Sequence, residues 1–152
     1  MADDFKMVAK NRKARFEYTI EDSFEAGMVL VGTEVKSLRQ GRINLRDGYA
    51  RIKAGELWLE NVHITPYPFA HYGNHEPLRS RKLLVHKREI RRLTGKVAER
   101  GYSLIPLSLY FKKGRAKIQI GLAKGKKAYD KRRALRERQE SREIERALRR
   151  RG

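Results

Sequence analysis

Residues 102–122, YSLIPLSLYFKKGRAKIQIGL, contain the strongest fold signal in the chain. Apolar side chains occupy alternate positions on both sides of Lys113-Gly114, namely Ile105, Leu107, Leu109 and Phe111 before it and Ala116, Ile118, Ile120 and Leu122 after it. A period of two is typical of a half-buried strand, and a short glycine-containing turn joins two such strands. We therefore predict an antiparallel hairpin with one apolar face on each strand.

Working outward from this hairpin, the other elements are short. Alternating or β-rich apolar runs predict strands in residues 16–20, 28–31, 49–53, 57–64 and 82–85. Apolar residues at helical spacing predict a helix around residues 35–38, ended by Gly41, and another around residues 90–97, ended by Gly101. Residues 65–81 contain Pro66, Pro68 and Pro77 without periodicity, which is typical of a long, mobile loop.

These elements predict a mainly β protein, a small closed antiparallel barrel with short helices and a basic C-terminal tail. The elements do not alternate between strand and helix, so the sequence does not indicate a parallel sheet. Closure would also remove exposed strand edges from a chain that has little apolar surface. We place the barrel in residues 1–127, including a loosely held arm at residues 1–15, and the tail in residues 128–152.

The tail has little to bury, since its only large aliphatic side chains are Leu135, Ile144 and Leu148. Its residue types favour a helix, and Glu145 with Arg149 is a favourable pair four residues apart. Each such pair contributes only about 0.2–0.5 kcal/mol, which is too little to hold an isolated helix. We therefore predict that the tail is disordered when free and becomes helical on a polyanionic surface.

The composition points to a nucleic acid partner. Lysine and arginine number 37 against 18 aspartates and glutamates, so the formal net charge is +19. A body with this much like charge repels itself, which favours a polyanion as partner. The chain has no cysteine, which excludes disulfides and thiolate metal sites. It shows no secretory leader and no apolar run near the ~20 residues of a membrane span, so we expect a cytoplasmic location and no membrane partner.

Residues 121–133, GLAKGKKAYDKRR, contain six basic residues and a single acid, Asp130. Gly121 and Gly125 lack a Cβ and could let the backbone approach a partner, and Tyr129 could stack on a base. The spacing GLAKGK is one residue short of a phosphate-binding loop, and Lys127 stands where that motif needs Ser or Thr. We interpret this stretch as the joint between an RNA-binding core and the tail.

Enzymatic and metal-binding alternatives have weaker support. Glu25 and Glu34 are candidate acids for a magnesium-dependent nuclease, but nothing in their spacing singles them out. His71 and His75 flank Gly73 in the predicted loop, whereas structural zinc needs four ligands. We expect no cofactor and no catalysis. A further alternative is a structural RNA-binding protein that is bound to the ribosome. The identity of the RNA that co-purifies with the chain would distinguish this alternative from a protein that binds another RNA.

Between about residues 11 and 132 the chain resembles a known family. The segments KNRKARFEY, EAGMVLVGTEVKSLRQGRINLRDGYARI, ITPY, RSRKLLVHKREI and GYSLIPLSLYFKKGRAKIQIGLAKGKKAYDKR resemble small protein B, the SsrA-binding proteins of bacteria. This resemblance implies an oligonucleotide-binding (OB) fold without catalytic activity. It further implies binding to the tRNA-like domain of transfer-messenger RNA (tmRNA), delivery with elongation factor Tu to stalled ribosomes, and a tail that enters the mRNA channel.

The resemblance also implies site residues, matched position by position. Those expected to bind tmRNA are Asn11, Lys13, Glu25, Lys82, Leu84, Lys124, Gly125, Lys126 and Lys127. Those expected at the ribosomal decoding centre are Tyr129, Asp130, Lys131 and Arg132. Tyr129 departs from the family pattern, because many relatives have histidine there, and Thr33 stands where others have a large aromatic residue.

Overall fold

The computed structural model describes residues 4–99, 101–126 and 128–151. The described residues form nine strands and four helices. In chain order they are β1 (Phe5–Lys10), α1 (Ala14–Glu17), β2 (Tyr18–Met28), α2 (Gly32–Arg39), β3 (Ile43–Asn44), β4 (Tyr49–Lys53), β5 (Glu56–Glu60), β6 (His63–Ile64), β7 (Arg81–Leu84), α3 (Lys87–Val97), β8 (Tyr102–Lys112), β9 (Arg115–Gly125) and α4 (Ala128–Arg151). Among these residues, no helix has the length and apolar character needed to cross a membrane.

One large antiparallel sheet dominates the fold. Its strand order is β1-β8-β4-β5-β7-β2-β9, and β8 also pairs with β9. Strands β3 and β6 form a separate two-stranded sheet. Leucine and isoleucine side chains from β5, β7, β8 and β9 meet in the main core, which α2 and α3 cover with Leu38 and Leu93. The predicted mainly β architecture with short helices is therefore confirmed.

The β8–β9 hairpin forms as predicted, but its first strand does not keep one apolar face. The register shifts between Pro106 and Ser108. Leu109 and Leu104 on the two sides of this bulge both enter the main core. Ile105 instead packs in a second cluster with Ala14 and Ala123. A bulge places two residues opposite one and so reverses the facing of those that precede it, which local alternation does not reveal.

The expected loosely held arm is wrong for residues 5–10, which form strand β1. This strand pairs with β8, from Phe5 opposite Lys112 to Lys10 opposite Ser108. The Phe5 ring lies 4.9 Å from that of Tyr110, which is buried. Strand β8 would otherwise present unpaired backbone groups along this edge, and β1 satisfies them. The sequence does not indicate this edge strand, because charged side chains interrupt the apolar alternation of the segment.

A buried ion pair joins α2 to the first residue of β7. Glu34 and Arg81 are both fully buried, and their side chains meet at 2.5 Å from Arg81 Nε to Glu34 Oε2. Arg81 also donates to the carbonyl oxygens of Val62 and Pro77. Burial by itself raises the pKa of Glu34, but hydrogen bonds from Arg79, the Val31 amide and Arg81 outweigh it, so the pKa lies below its usual 4.5.

Helix α4 covers the predicted tail. The described side chains from residue 135 to residue 149 are all exposed, including those of Leu135, Ile144 and Leu148. Between residues 135 and 149 this polar helix buries no apolar stripe, as its sequence indicates. The expectation that the tail is disordered in the free protein stays a prediction.

Candidate nucleic-acid interface

Three lysines gather around the short helix α1. Pairing of β2 with β9 sets Tyr18 opposite Gly125 and Thr19 opposite Lys124, next to the end of the helix. The Lys126 amide donates to the Glu17 carbonyl, and its Nζ donates to the Arg15 carbonyl, both at 2.9 Å. Lys13 Nζ lies 3.2 Å from Glu17 Oε1. We call Lys13, Lys124, Gly125 and Lys126 the α1 site.

The α1 site keeps its positive charge accessible. Lys124 and Gly125 are exposed, and the acid beside Lys13, Glu17, is only partly buried. Lys124 Nζ lies 5.5 Å from the centre of the Tyr102 ring. The hydrogen bond from the Tyr102 hydroxyl to Glu21 raises the pKa of this phenol above its usual value. An exposed lysine beside an aromatic ring can contact phosphates while the ring stacks on a base.

Asn11 lies beneath this site as a structural residue. Its side chain is buried, its Nδ2 donates to the carbonyl oxygens of Pro106 and Leu45, and its Oδ1 accepts from the Ala14 amide. Its own amide donates to the Leu107 carbonyl. Asn11 thus joins β1, the bulge of β8 and the start of α1, and it fixes the backbone beside Lys13.

The two glycines of the basic stretch have different surroundings. A Cβ on Gly125 would meet nothing within 4 Å, so this backbone is open to a partner. A Cβ on Gly121 would lie 3.0 Å from Leu107 Cδ1 and 3.1 Å from Ile20 Cγ2. Gly121 is buried and needed for internal packing, so the expectation that its backbone could approach a partner is wrong.

A second group of site residues surrounds Glu25, near the other end of β2. Gly27 pairs with both Leu84 and Lys117, which brings β7 and β9 to this point. Glu25 and Leu84 line one cavity with Lys117, Arg88 and His86. We call this group the Glu25 site. The sequence did not indicate Lys117, Arg88 or His86 as part of it. Lys117 joins through the long-range register of β2 with β9, and His86 and Arg88 lie where the chain passes from β7 into α3.

The Glu25 carboxylate is held rather than free. The Tyr110 hydroxyl donates a short hydrogen bond to Glu25 Oε2, and Lys112 Nζ lies 3.7 Å from the same oxygen. Burial, followed by the contact with Glu25, raises the pKa of Tyr110, so this hydroxyl remains a donor at physiological pH. A carboxylate oriented in this way can accept hydrogen bonds from base edges.

Leu84 and Lys82 lie two residues apart on β7. Leu84 is about half exposed, and its side chain contacts the position where Gly27 lacks a Cβ. Lys82 Nζ forms a half-exposed ion pair with Glu56 Oε1 at 2.9 Å. Strand β2 is 11 residues long, about 33 Å at ~3.3 Å per residue. The expected RNA-binding residues therefore form two groups near opposite ends of β2.

In the part of the chain that the structure describes, the candidate acids and histidines are not brought together into one site. Glu34 is enclosed by Arg79 and Arg81, far from open solvent, and does not share a site with Glu25. His75 is buried: Nε2 donates to the Ile64 carbonyl, which leaves Nδ1 to accept from the Thr33 hydroxyl. Within residues 4–99, 101–126 and 128–151, no three His, Cys, Asp or Glu side chains are grouped to hold a metal ion.

The remaining expected residues lie at the start of the tail. Lys127 lies outside the described residues, and so do the side chains of Tyr129, Asp130, Lys131 and Arg132. The backbone of residues 128–132 belongs to α4. Because Lys126 is hydrogen-bonded to α1, this helix begins beside the α1 site.

Comparisons with known proteins agree with one another. The model of the family described as SmpB protein matches residues 8–150. An SsrA-binding protein of Thermosynechococcus vestitus is 56% identical over 99% of this chain and 100% of its own length. That of Acidothermus cellulolyticus is 62% identical over 96% of this chain and 92% of its own.

A solved structure, "tmRNA-SmpB: a journey to the center of the bacterial ribosome", contains a chain with the same fold. The match has a TM-score of 0.67 and 52% sequence identity, and it covers 79% of this chain and 85% of that one. The sequence matches span nearly the whole chain, and the structural match spans 79% of it. The chain belongs to the SmpB protein family.

Proposed function

We propose that this protein binds the tRNA-like domain of tmRNA and delivers it to stalled ribosomes for trans-translation. Its relatives are named SsrA-binding proteins, and the matching structure is named for tmRNA, SmpB and the bacterial ribosome. The observation in this structure that carries the proposal is the α1 site, where exposed Lys124 and half-buried Lys13 and Lys126 lie on a preformed strand pair and helix. Such a surface suits the phosphates of a folded RNA, whose duplex hides its base edges.

We assign the tmRNA contacts to the two groups near the ends of β2. At the α1 site, Lys13, Lys124 and Lys126 would pair with phosphates while Gly125 lets the RNA backbone approach. Lys127 would extend this cluster toward the tail. At the Glu25 site, the oriented carboxylate would accept hydrogen bonds from bases, and Leu84 would supply an apolar contact. Lys82 would reach a phosphate after leaving Glu56, since a half-exposed ion pair contributes little.

We assign the tail to the ribosome. Tyr129, Asp130, Lys131 and Arg132 would contact the decoding centre, and the remainder of α4 would lie in the mRNA channel. The exposure of the described α4 side chains supports this, because they are available to a second RNA. Elongation factor Tu would join through the tmRNA complex. We propose no catalytic role for the protein, and its cytoplasmic location stays a prediction.

We further infer that the large sheet closes into an OB-type barrel. Strand β8 pairs with β4 and also with β9, and β9 pairs with β2, which leads back through β7 and β5 to β4. This cycle of pairings supports closure. A closed barrel would keep the two ends of β2 at a constant separation, as recognition of an RNA by its shape requires.

The test separates RNA binding from ribosome rescue. We expect RNA that co-purifies with the full chain from a bacterial host to contain tmRNA. Recovery of ribosomal RNA alone would support the structural RNA-binding alternative. A chain that ends at Lys127 should bind the tRNA-like RNA with nearly unchanged affinity and lose rescue of stalled ribosomes in a reconstituted translation assay. The full-length variant with Lys124→Ala and Lys126→Ala is the matched control, because it should lose RNA affinity first. Equal loss of both activities on truncation would contradict this division.

A further inference from the structure

We propose that residues 65–80, between β6 and β7, form a further RNA-binding surface that stacks unpaired bases on Phe69 and Tyr72. We call this segment the aromatic loop. It belongs to neither the α1 site nor the Glu25 site. The proposal does not depend on tmRNA being the partner, because it concerns any RNA that offers free base faces.

The aromatic loop holds its rings in solvent. Tyr72 is fully exposed and Phe69 is 66% exposed. Exposed aromatic rings offer flat faces on which unpaired bases can stack. The Tyr67 ring supports Phe69 edge-to-face, with 5.6 Å between ring centres. Lys36 Nζ of α2 lies 5.5 Å from the centre of the Tyr67 ring, so a cation stands beside these rings.

Hydrogen bonds hold the aromatic loop in shape. Asn74 bridges it, since its Oδ1 accepts from the Tyr67 amide and its Nδ2 donates to the Tyr67 carbonyl. His75 ties it to the Ile64 carbonyl and to Thr33, and Ser37 of α2 donates to the Thr65 carbonyl. A surface that is ordered before binding loses less conformational entropy when its partner arrives. The predicted long loop therefore exists, but it is fastened to the body at several points.

The charge around the aromatic loop favours RNA as the occupant. Exposed Lys36 and Arg42 come from α2 and the residues that follow it, and the Thr65 amide is bonded to the Arg42 carbonyl. The acid of α2, Glu34, is buried against Arg79 and Arg81 and does not oppose these cations. The sequence of the aromatic loop contains one acidic residue, Glu76. Flat rings beside cations bind nucleotides by stacking and phosphate contact, and a duplex conceals the base faces needed for it.

Nuclear magnetic resonance on the full chain tests this proposal directly. The probes are an oligouridylate of about 12 nucleotides, within the ~4–16 of single-strand sites, and an RNA duplex of the same length. We expect the ring signals of Phe69 and Tyr72 to shift upfield with the oligouridylate and to stay in place with the duplex. Unshifted ring signals at saturation, or equal shifts with the duplex, would overturn the proposal.

Variants provide a second measurement. Phe69→Ser with Tyr72→Ser should weaken oligouridylate binding roughly tenfold at a salt concentration that screens phosphate contacts. The matched control is Leu78→Ser, which removes a half-exposed apolar side chain from the same loop without removing a ring. Similar weakening in both variants, or none in the first, would refute stacking. Because neither probe is tmRNA, failure here leaves the proposed function intact, and failure to recover tmRNA leaves this proposal intact.

Discussion

The buried pair of Glu34 and Arg81 should be the most sensitive ionic contact in the described structure. Neither side chain is exposed, and Glu34 accepts hydrogen bonds from Arg81, Arg79 and the Val31 amide. Substituting Glu34→Ala leaves the Arg81 guanidinium buried without its counter-charge. Removing one partner of such a pair costs about 3–5 kcal/mol. That is a large part of the ~5–15 kcal/mol that stabilises a typical domain.

Urea unfolding followed by circular dichroism measures this loss. The matched control is Glu56→Ala, which breaks the half-exposed pair with Lys82 and should change the free energy of unfolding by less than about 1 kcal/mol. A loss at Glu34 as small as that of the control would refute the reasoning. Replacing both partners, with Glu34→Leu and Arg81→Met, should recover much of the stability, because no unpaired charge then remains.

The pH dependence of stability supplies an independent reading. The pKa of Glu34 is lower in the folded chain than its usual 4.5, so the unfolded chain takes up a proton first. The contribution of Glu34 is therefore present above its unfolded pKa and is lost as pH falls through the folded pKa. We expect the wild-type free energy of unfolding to decrease below about pH 4.5 more steeply than that of Glu34→Gln. Parallel curves would show that Glu34 does not carry this dependence.

Two further predictions concern the basic stretch. Replacing Lys124 and Lys126 with alanine should weaken binding of the tRNA-like RNA and reduce the slope of log affinity against log salt by about 2. The control Arg115→Gln, near the other end of β9, should leave the affinity nearly unchanged. Filter binding at several salt concentrations measures both variants, and an unaltered slope would place the phosphate contacts elsewhere. Gly121→Val should destabilise the fold by about 1–3 kcal/mol in thermal unfolding, because the valine side chain would meet Leu107 and Ile20. The control Gly125→Ala should change the free energy of unfolding by less than about 0.5 kcal/mol. Equal effects of the two substitutions would contradict the packing around Gly121.

Local patterns in the sequence predict most elements correctly. The β4–β5 hairpin, the helix ended by Gly41 and the β8–β9 hairpin form where alternation, helical spacing and glycine indicate. These features depend on residues that are close in the chain, so periodicity is enough to predict them. The family resemblance led to the residues of both candidate sites, whose roles stay predictions.

Contacts between distant residues were decided only by tertiary structure. Strand β1 is recognisable only once the edge of β8 is available to it, and Tyr110 is buried because Phe5 then covers it. The bulge at Pro106 reverses the facing of Leu104 and Ile105, although their local sequence continues the same alternation. The sequence places Glu34 on a helix as if it were a surface acid, but in the fold it pairs with Arg81, which is 47 residues away in the chain.

What the sequence by itself determined is the net charge of +19, the β-rich body and a C-terminal segment without a core. These follow from composition and short-range periodicity, which do not depend on how the chain packs. Tertiary structure alone decided which lysines gather around α1. It also decided that Glu25 lines a cavity and that Glu34 is buried in an ion pair with Arg81. The physical reason is strand register: it brings residues from separate parts of the chain into one site, and no local pattern encodes it.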